Sequence, residues 1–254
     1  MLDATNTSKE IEEKLPEIAV FGIGAVEQHS IHLPLGTDWL GVRDLARRVA
    51  EELDAFLVPA LPFSMSECHG PMAGTVWLKP ATLAAVLRDT VLSLYAQGFG
   101  KVLVVNGHGG NFVLEAEIRQ LNLSHPELIV LMPPLFFAPR SDDPKIWDKA
   151  LGIHAGERET ASQMYINAKN VKSDRVDYLP PVGREFLDYA FVGFISEWGV
   201  WGYPTYGTAE KGKQATAQKV ELIVEWTRQA FAQVGELKAR EGVQDVAGLS
   251  EHLV

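Results

Sequence analysis

Short apolar segments alternate with longer amphipathic segments along this chain, and that alternation restricts the possible folds more than any other feature. The apolar segments span 18–26, 56–61, 101–105 and 128–132, and they are rich in valine, isoleucine and leucine. Runs without polar alternation are typical of strands buried on both faces of a sheet. Strands that alternate with helices predict parallel β-α-β units, and therefore a three-layer α/β/α fold with a mainly parallel sheet.

Apolar residues at helical spacing predict helices over 39–53, 80–97, 111–123, 156–168 and 216–240. The segments 133–144 and 171–208 are irregular and punctuated by proline, glycine and aromatic residues. Irregular stretches of this length in a compact domain are typical of lids or subunit contacts. No internal repeat is visible, so we expect a single domain over residues 1–254.

Charge and composition exclude several functional classes. The chain has 23 Lys and Arg against 33 Asp and Glu, a formal net charge of −10, which disfavours nucleic acid and anionic membranes as partners. No apolar run approaches the ~20 residues of a membrane span, and the polar N-terminus does not resemble a secretory signal. The one cysteine, Cys68, cannot form an internal disulfide. We therefore expect a cytoplasmic, soluble protein whose partners are neither nucleic acid nor a membrane.

Five of the seven histidines lie in four polar segments, most of which follow predicted strands. These segments are 27–38 (EQHSIHLPLGTD), 64–70 (SMSECHG), 106–111 (NGHGGN) and 154–160 (HAGERET). Because functional groups gather at the carboxyl ends of parallel strands, we expect the four segments to meet at one edge of the sheet.

The combination of imidazoles and carboxylates in these segments predicts a metal centre. Several carboxylates brought together without a cation raise one another's pKa, and a divalent ion removes that cost. Imidazole and carboxylate without thiolate suit zinc, manganese or iron, whereas calcium prefers ligands that are all oxygen. A shared carboxylate such as Asp38 could bridge two ions.

Each residue also has a simpler interpretation. Asp38 could cap the helix that follows it, and Glu157 and Glu159 could be ordinary first-turn acids. Arg158 could be their solvated partner. Cys68 could be a nucleophile, although a buried, inert thiol is the more common role of a single cysteine.

Two competing motifs are incomplete. The segment 22–27 begins like a dinucleotide-binding G-x-G-x-x-G, but Glu27 occupies the third glycine position and would repel a pyrophosphate. The segment 207–213 resembles a phosphate-binding loop, but Gln214 replaces the final Ser or Thr. We interpret 207–213 as a loop before the last helix.

The polar segments resemble the creatininase (creatinine amidohydrolase) family. The matching motifs lie at 24–38, 66–75, 106–111, 154–160 and 207–212, in the order that the family has them. The resemblance implies a three-layer α/β fold, a two-metal centre, hydrolysis of non-peptide C–N bonds and assembly into dimers or hexamers.

The resemblance also implies roles for individual residues. The implied metal ligands are Glu27, His29, Asp38, His108 and Glu159. Glu27 and His108 would bind one ion and His29 the other, with Asp38 bridging the two. His154 would transfer a proton during catalysis. The residues implied to orient the substrate or the ligands are His69, Asn106 and Asn111.

The chain departs from the family pattern around the expected pocket. Gly110 stands where creatininase itself has a ligand glutamate, which moves that role to Glu159 and weakens the case for creatinine as the substrate. Ser30 and Ile31 replace the usual Gly-Pro, and Ala73 replaces a usual proline.

Together these features predict a hydrolase that uses a metal-bridging hydroxide to cleave a small cyclic amide or a formamide. Two divalent ions are expected, with zinc favoured and manganese or iron open. The alternatives are a peptide-maturing or cyclitol C–C hydrolase of the same family, and a non-catalytic metal-binding oligomer. The aromatic stretch 186–206 predicts a homo-oligomer, unless it folds back over its own core.

Overall fold

A computed structural model describes residues 1–134, 145–149 and 152–239. Its centre is a sheet of five parallel strands in the order β1-β3-β2-β4-β5. The strands are β1 (Leu2–Asp3), β2 (Ile18–Ile23), β3 (Phe56–Leu61), β4 (Lys101–Asn106) and β5 (Ile129–Leu131). The four predicted strands are therefore present, although β2, predicted over 18–26, ends three residues early at Ile23. The short β1 was not predicted.

Helices precede and follow the strands along the chain. They are α1 (Ser8–Lys14), α2 (Thr37–Glu52), α3 (Pro80–Ala96), α4 (Val113–Ser124), α5 (Glu157–Asn167), α6 (Val192–Ile195) and α7 (Ala209–Lys238). Four of the predicted helices agree with α2 to α5 to within about two residues. Within the described residues, no helix is long and apolar enough to cross a membrane.

Alternate residues of β4 pack into cores on opposite faces of the sheet, which explains why the strands lack polar alternation. Val102 and Val104 pack into a core that contains residues of α3 and α4. Leu103 and Val105 pack into a second core, which contains residues of α2 and α7. Both faces of the sheet are covered by helices, so the predicted three-layer α/β/α fold is confirmed.

The start of the last helix was predicted wrongly. The loop assigned to 207–213 is largely helical, because α7 begins at Ala209, where the Thr208 hydroxyl accepts a hydrogen bond from the Lys211 backbone N–H. A Cβ atom on Gly212 would lie 2.0 Å from the Ala161 carbonyl oxygen, so this glycine permits close packing of α7 on α5. The predicted end at residue 240 lies outside the described residues, as does most of 133–144.

The irregular stretch 171–208 contains three short helical turns, at Arg184–Asp188, Val192–Ile195 and Pro204–Tyr206, and an isolated antiparallel bridge between Tyr178 and Gly202. The interpretation of Asp38 as the N-cap of α2 is wrong. Gly36 occupies the N-cap of α2, and Asp38 lies inside the first turn.

Candidate metal centre

The four polar segments converge at the carboxyl ends of the central strands. Residues 27–38 follow β2, 64–69 follow β3, 106–111 follow β4, and 154–159 lead into α5. A Cβ atom on Gly24 would lie 2.5 Å from the Trp39 Cα, so a glycine is needed for the start of α2 to approach the end of β2. That approach brings Asp38 beside Glu27. The segments open onto a cavity of about 1120 Å³.

Asp38 lies between two histidines. One carboxylate oxygen, Oδ2, is 3.0 Å from His108 Nδ1, and the other, Oδ1, is 3.5 Å from His29 Nε2. Asp38 thereby belongs to two groups of possible metal donors, one with Glu27 and His108 and one with His29 and Glu159. Within each group the donor atoms lie within 4.8 Å of one another. One oxygen of Asp38 thus lies toward each donor group.

Glu27 and Glu159 complete the two groups. Glu27 Oε2 is 3.3 Å from His108 Nε2, and Glu159 Oε2 is 3.8 Å from His29 Nε2. Glu159 also accepts a hydrogen bond from the Ala155 backbone N–H. Ala155 has a φ of 48°, a left-handed conformation that turns the chain between His154 and α5. All five predicted ligands therefore converge.

The charges of this cluster depend strongly on one another. Burial raises the pKa of Glu27 to about 7. Burial disfavours the charged form of His108, but the Glu27 and Asp38 carboxylates outweigh it and raise the His108 pKa to about 9. Burial likewise opposes ionisation of Asp38, yet His29 and His108 hold its pKa well below the usual value. These opposing shifts show that the buried carboxylates favour positive charge beside them.

The donor set fits divalent ions. Glu27 Oε2 and His29 Nε2 are buried, and neither has a hydrogen-bond partner among the described residues. Buried polar atoms are normally hydrogen-bonded, so two unpaired atoms in one cluster need an explanation. Coordination of a cation explains both, and the mixture of imidazole and carboxylate suits zinc, manganese or iron.

His154 is oriented by the main chain. Its Nε2 is 2.8 Å from the Gln28 carbonyl oxygen, which can only accept, so the proton of the neutral ring lies on Nε2. The other nitrogen, Nδ1, faces the cluster and is 3.7 Å from Glu27 Oε1. Burial lowers the pKa of His154 to about 4, which favours this neutral form. His154 also forms a possible donor group with Glu27 and His29, so its geometry alone permits either ligand or proton carrier.

Sequence reasoning assigned no role to Gln28, although it lies between two predicted site residues. Its side-chain Nε2 is 2.8 Å from His69 Nδ1 and 3.0 Å from His154 Nε2. Donation to His69 Nδ1 places the His69 proton on Nε2, which lies 3.4 Å from Glu27 Oε1. The amide nitrogen and His154 Nε2 are both donors, so their 3.0 Å approach is not a hydrogen bond. Gln28 instead holds His69 through its side-chain amide and His154 through its backbone carbonyl, and it positions both histidines near Glu27.

The two asparagines hold the loop that carries His108. Asn106 Oδ1 accepts hydrogen bonds from the His108 backbone N–H at 3.1 Å and from Asn111 Nδ2 at 3.0 Å. Asn111 Oδ1 accepts one from the Met65 backbone N–H at 3.3 Å. Of the three predicted orienting residues, His69 lines the cavity, whereas the two asparagines support the loop of His108.

Cys68 also lines the cavity, but it is unsuited to nucleophilic attack. Burial raises the pKa of its thiol to about 12, so the thiolate is scarce near neutral pH. This supports the inert interpretation of the cysteine.

The family's sequence model, described as creatinine amidohydrolase, matches residues 4–227. The chain belongs to the creatininase family. Family members are hydrolases that act on C–N bonds, and this chain is a creatininase-family amidohydrolase. The resemblance seen in the sequence is thereby confirmed.

Relatives with different substrates align over most of the chain. A mycofactocin precursor peptide peptidase of Mycobacterium ulcerans (strain Agy99) is 28% identical, covering 88% of this chain and 90% of its own length. The creatinine amidohydrolase of Pseudomonas putida is 27% identical, with coverages of 89% and 92%. A manganese form of creatininase superposes with a TM-score of 0.77 at 22% identity, covering 91% of this chain and 98% of that one. At 22% identity, the superposition on the manganese form of creatininase shows a shared fold alone.

Gly110 has no room for a side chain. A Cβ atom there would lie 2.5 Å from His108 Nε2 and 2.7 Å from the Met65 carbonyl oxygen. We expect Gly110→Ala to displace His108, to lower the free energy of unfolding by about 1–3 kcal/mol, as overpacking does, and to weaken metal binding. Urea unfolding and metal titration test this.

Gly235→Ala is the matched control, because no atom lies within 4 Å of the added carbon and alanine favours a helix. It should leave metal binding unchanged. Equal metal affinity in Gly110→Ala and the unaltered protein would contradict the steric argument.

Proposed function

We propose that this chain is a two-metal amidohydrolase whose centre is built around Asp38. The observation that supports the proposal most strongly is the division of Asp38 between two donor groups, one oxygen toward His108 and the other toward His29. Glu27, Asp38 and His108 would hold one ion, and His29, Asp38 and Glu159 the other. We expect zinc, with manganese or iron as alternatives.

The protein's own groups divide the remaining work. Two divalent ions in these groups would polarise the amide carbonyl and make water nucleophilic near neutral pH. His154 Nδ1 faces the cavity, while its Nε2–H is held by the Gln28 carbonyl. Nδ1 accepts a proton from the attacking water and delivers it to the departing nitrogen. His154 therefore acts first as a general base and then as a general acid. His69 Nε2–H and its contact with Glu27 keep that carboxylate in position.

The substrate we propose first is a small cyclic amide or a formamide. A second candidate is an amide near the end of a short peptide, which is favoured by the cavity volume of about 1120 Å³. Pockets for drug-sized ligands are ~300–1,000 Å³, so a ring of a few atoms would leave most of this cavity empty.

A panel assay tests the function directly. The protein loaded with zinc, manganese or iron is incubated with lactams, hydantoins, formamides and short peptides, and products are quantified by mass spectrometry. Turnover of any amide that is abolished by a chelator and restored by metal supports the proposal. Absence of metal after loading, or no hydrolysis of any amide, would contradict it and favour the non-catalytic alternative.

We also propose that the chain forms a homo-oligomer through its aromatic stretch. Tyr189 is 82% exposed and Phe194 80% exposed, and Phe191 and Trp198 beside them are more than two-fifths exposed. Large exposed apolar groups in one region are typical of protein contacts. The same stretch folds back in part, because Val200 and Trp201 are buried.

We expect the protein to sediment as a dimer or larger at micromolar concentration. Changing Tyr189 and Phe194 together to serine should shift the distribution toward monomer. Leu123→Ser, at an exposed leucine of α4, should not change it. A stable monomer of the unaltered protein would contradict the proposal.

A further inference from the structure

The sequence motif at 207–212 takes no part in the proposed chemistry, yet its lysine reaches a wall of the cavity. Lys211 Nζ is 2.5 Å from Glu157 Oε1 and 2.8 Å from the Tyr206 carbonyl oxygen, and it also donates to the Asp148 carboxylate. An ammonium group has three N–H donors, so each donor has an acceptor here. Lys211 therefore connects the start of α7 to α5 and to the residues around Asp148.

Glu157 lies at the centre of these contacts. It is 3% exposed, and its carboxylate accepts hydrogen bonds from the backbone N–H groups of Asp148 at 3.2 Å and Lys149 at 2.8 Å. A buried carboxylate needs hydrogen bonds and a positive charge beside it, and Lys211 supplies that charge. Glu157 is therefore more than the ordinary first-turn acid that its sequence position suggested.

These hydrogen bonds hold residues 145–149, which we call the wall segment. Trp147 and Lys149 of this segment line the cavity. Glu157 binds the two backbone N–H groups that directly follow Trp147, so it fixes the backbone at the lining residues. The Arg158 guanidinium carbon lies 5.6 Å from the ring centre of Trp147, so this arginine also contacts the wall segment and is not merely a solvated partner of the neighbouring acids.

The Lys149 side chain is held by the same network. Its Nζ lies 5.5 Å from the ring centre of Tyr203 and 5.1 Å from that of Tyr206, within the range of cation–π attraction. The Tyr206 carbonyl in turn accepts the hydrogen bond from Lys211. Lys211 thus acts on Lys149 at both its backbone and its side chain.

The wall segment and the proposed metal centre belong to one cavity, whose lining includes the proposed ligands Glu27 and Asp38 as well as Lys149. A substrate that is held at the metal centre and fills the cavity contacts this wall, whereas a very small one does not. We propose that Lys211 and Glu157 are positioning residues, which fix the wall segment against the substrate and thereby set the affinity for substrates that extend beyond the metal centre. This inference rests on the proposed two-metal function.

Hydroxamates of increasing length separate the wall from the metal centre. The hydroxamate group binds divalent ions, so acetohydroxamate, butanohydroxamate, hexanohydroxamate and octanohydroxamate share one metal anchor and occupy increasing parts of the cavity. Their affinities for the zinc-loaded protein are measured by calorimetry, which requires no turnover. Exchange of the backbone amide hydrogens of Asp148 and Lys149, measured by NMR spectroscopy, reports directly on the wall segment.

In the unaltered protein we expect octanohydroxamate to bind at least about tenfold more tightly than acetohydroxamate, because its chain is buried against the walls. In Lys211→Met this preference should fall below about threefold, while the affinity for acetohydroxamate stays the same. Exchange at Asp148 and Lys149 should become about tenfold faster, the usual effect of losing a hydrogen bond to a charged group. Amides of α4, which lies on the opposite face of the sheet from α7, are the reference for global unfolding.

Two further lysine variants complete the series. Lys211→Arg should retain both the length preference and the slow exchange, because a guanidinium keeps the charge and several donors. Lys213→Met is the matched control, since Lys213 is an exposed lysine of the same helix that does not line the cavity, and it should change neither measurement.

Asp148→Asn weakens the same network from a side chain that is 60% exposed, so it decides the question if Lys211→Met does not fold. It should shift both measurements in the same direction by about two- to fivefold, as the loss of an exposed ion pair does.

The possible outcomes distinguish this inference from the proposed function. Unchanged exchange in both variants would overturn the positioning role, and faster exchange without loss of the length preference would overturn the contact between wall and substrate. Binding of acetohydroxamate with no gain from a longer chain in the unaltered protein would overturn this inference alone. Failure of every hydroxamate to bind would overturn the two-metal function itself.

Discussion

Asp38→Asn is expected to abolish binding of both metal ions at micromolar metal, whereas loss of any other proposed ligand should affect mainly one ion. The substitution keeps the side-chain volume but replaces one of two negatively polarised oxygens by an NH₂ group, which cannot coordinate. Those oxygens face His108 and His29 separately, at 3.0 and 3.5 Å. Removal of a group that merely supports a ligand costs ~10–100-fold in metal affinity, so removal of a shared ligand should cost more.

The decisive measurements are metal content after loading and the change in melting temperature on loading. Ions that bind the folded state stabilise it, so the melting temperature of the unaltered protein should rise with zinc or manganese. In Asp38→Asn we expect neither bound metal nor a rise. Asp44→Asn is the matched control, because Asp44 lies on the same helix and is paired with Arg48.

The melting temperature of the metal-free variant distinguishes a lost site from a lost fold. If metal-free Asp38→Asn melts near the metal-free unaltered protein but binds no ion, Asp38 is the shared ligand. If Asp38→Asn keeps two ions per chain, the bridging role is wrong.

Local patterns were sufficient to predict the fold and the clustering of histidines and carboxylates, because each is encoded within a few residues. The apolar period of each strand and helix is a short-range signal, and the polar segments lie at strand ends. Glu27, His29, Asp38 and His108 occur in segments that follow strands, and the parallel order of the strands brings them together. His154 and Glu159 lie where the chain enters α5 and join the same cluster.

Features that depend on tertiary contacts were missed. The start of α7 contains Gly212, which favours a loop by propensity, yet its close contact with Ala161 requires a glycine inside the helix. The strand β1 has only two residues, and it is a strand because it pairs with β3. These are cases in which packing outweighs local preference.

Glu159 and His154 are close in sequence but should respond differently to substitution. Glu159→Gln is expected to lower metal content and rate together, because Glu159 Oε2 faces His29 within one donor group. The Ala155 N–H can still donate to the oxygen of glutamine, so the turn that precedes α5 should persist.

His154→Ala is expected to retain both ions and to lose about 10²–10⁴-fold in turnover, the usual worth of general acid–base catalysis. The Nε2–H bond to the Gln28 carbonyl fixes the ring so that Nδ1 faces the cavity, and a neutral ring can accept a proton there. Turnover is measured with an amide from the panel that the unaltered protein hydrolyses. His125→Ala is the control, since that histidine lies at the end of α4 and should leave both metal content and turnover unchanged.

A leaving-group series separates proton transfer from mere packing. An anilide with electron-withdrawing substituents departs with less need for protonation than an alkyl amide does. If His154 delivers the proton, His154→Ala should lose much less activity on the activated anilide than on the alkyl amide, whereas a packing defect would lower both rates equally. Loss of metal in His154→Ala would instead make the histidine a ligand, through the donor group that it forms with Glu27 and His29. Full activity in His154→Ala would leave the histidine only a structural role.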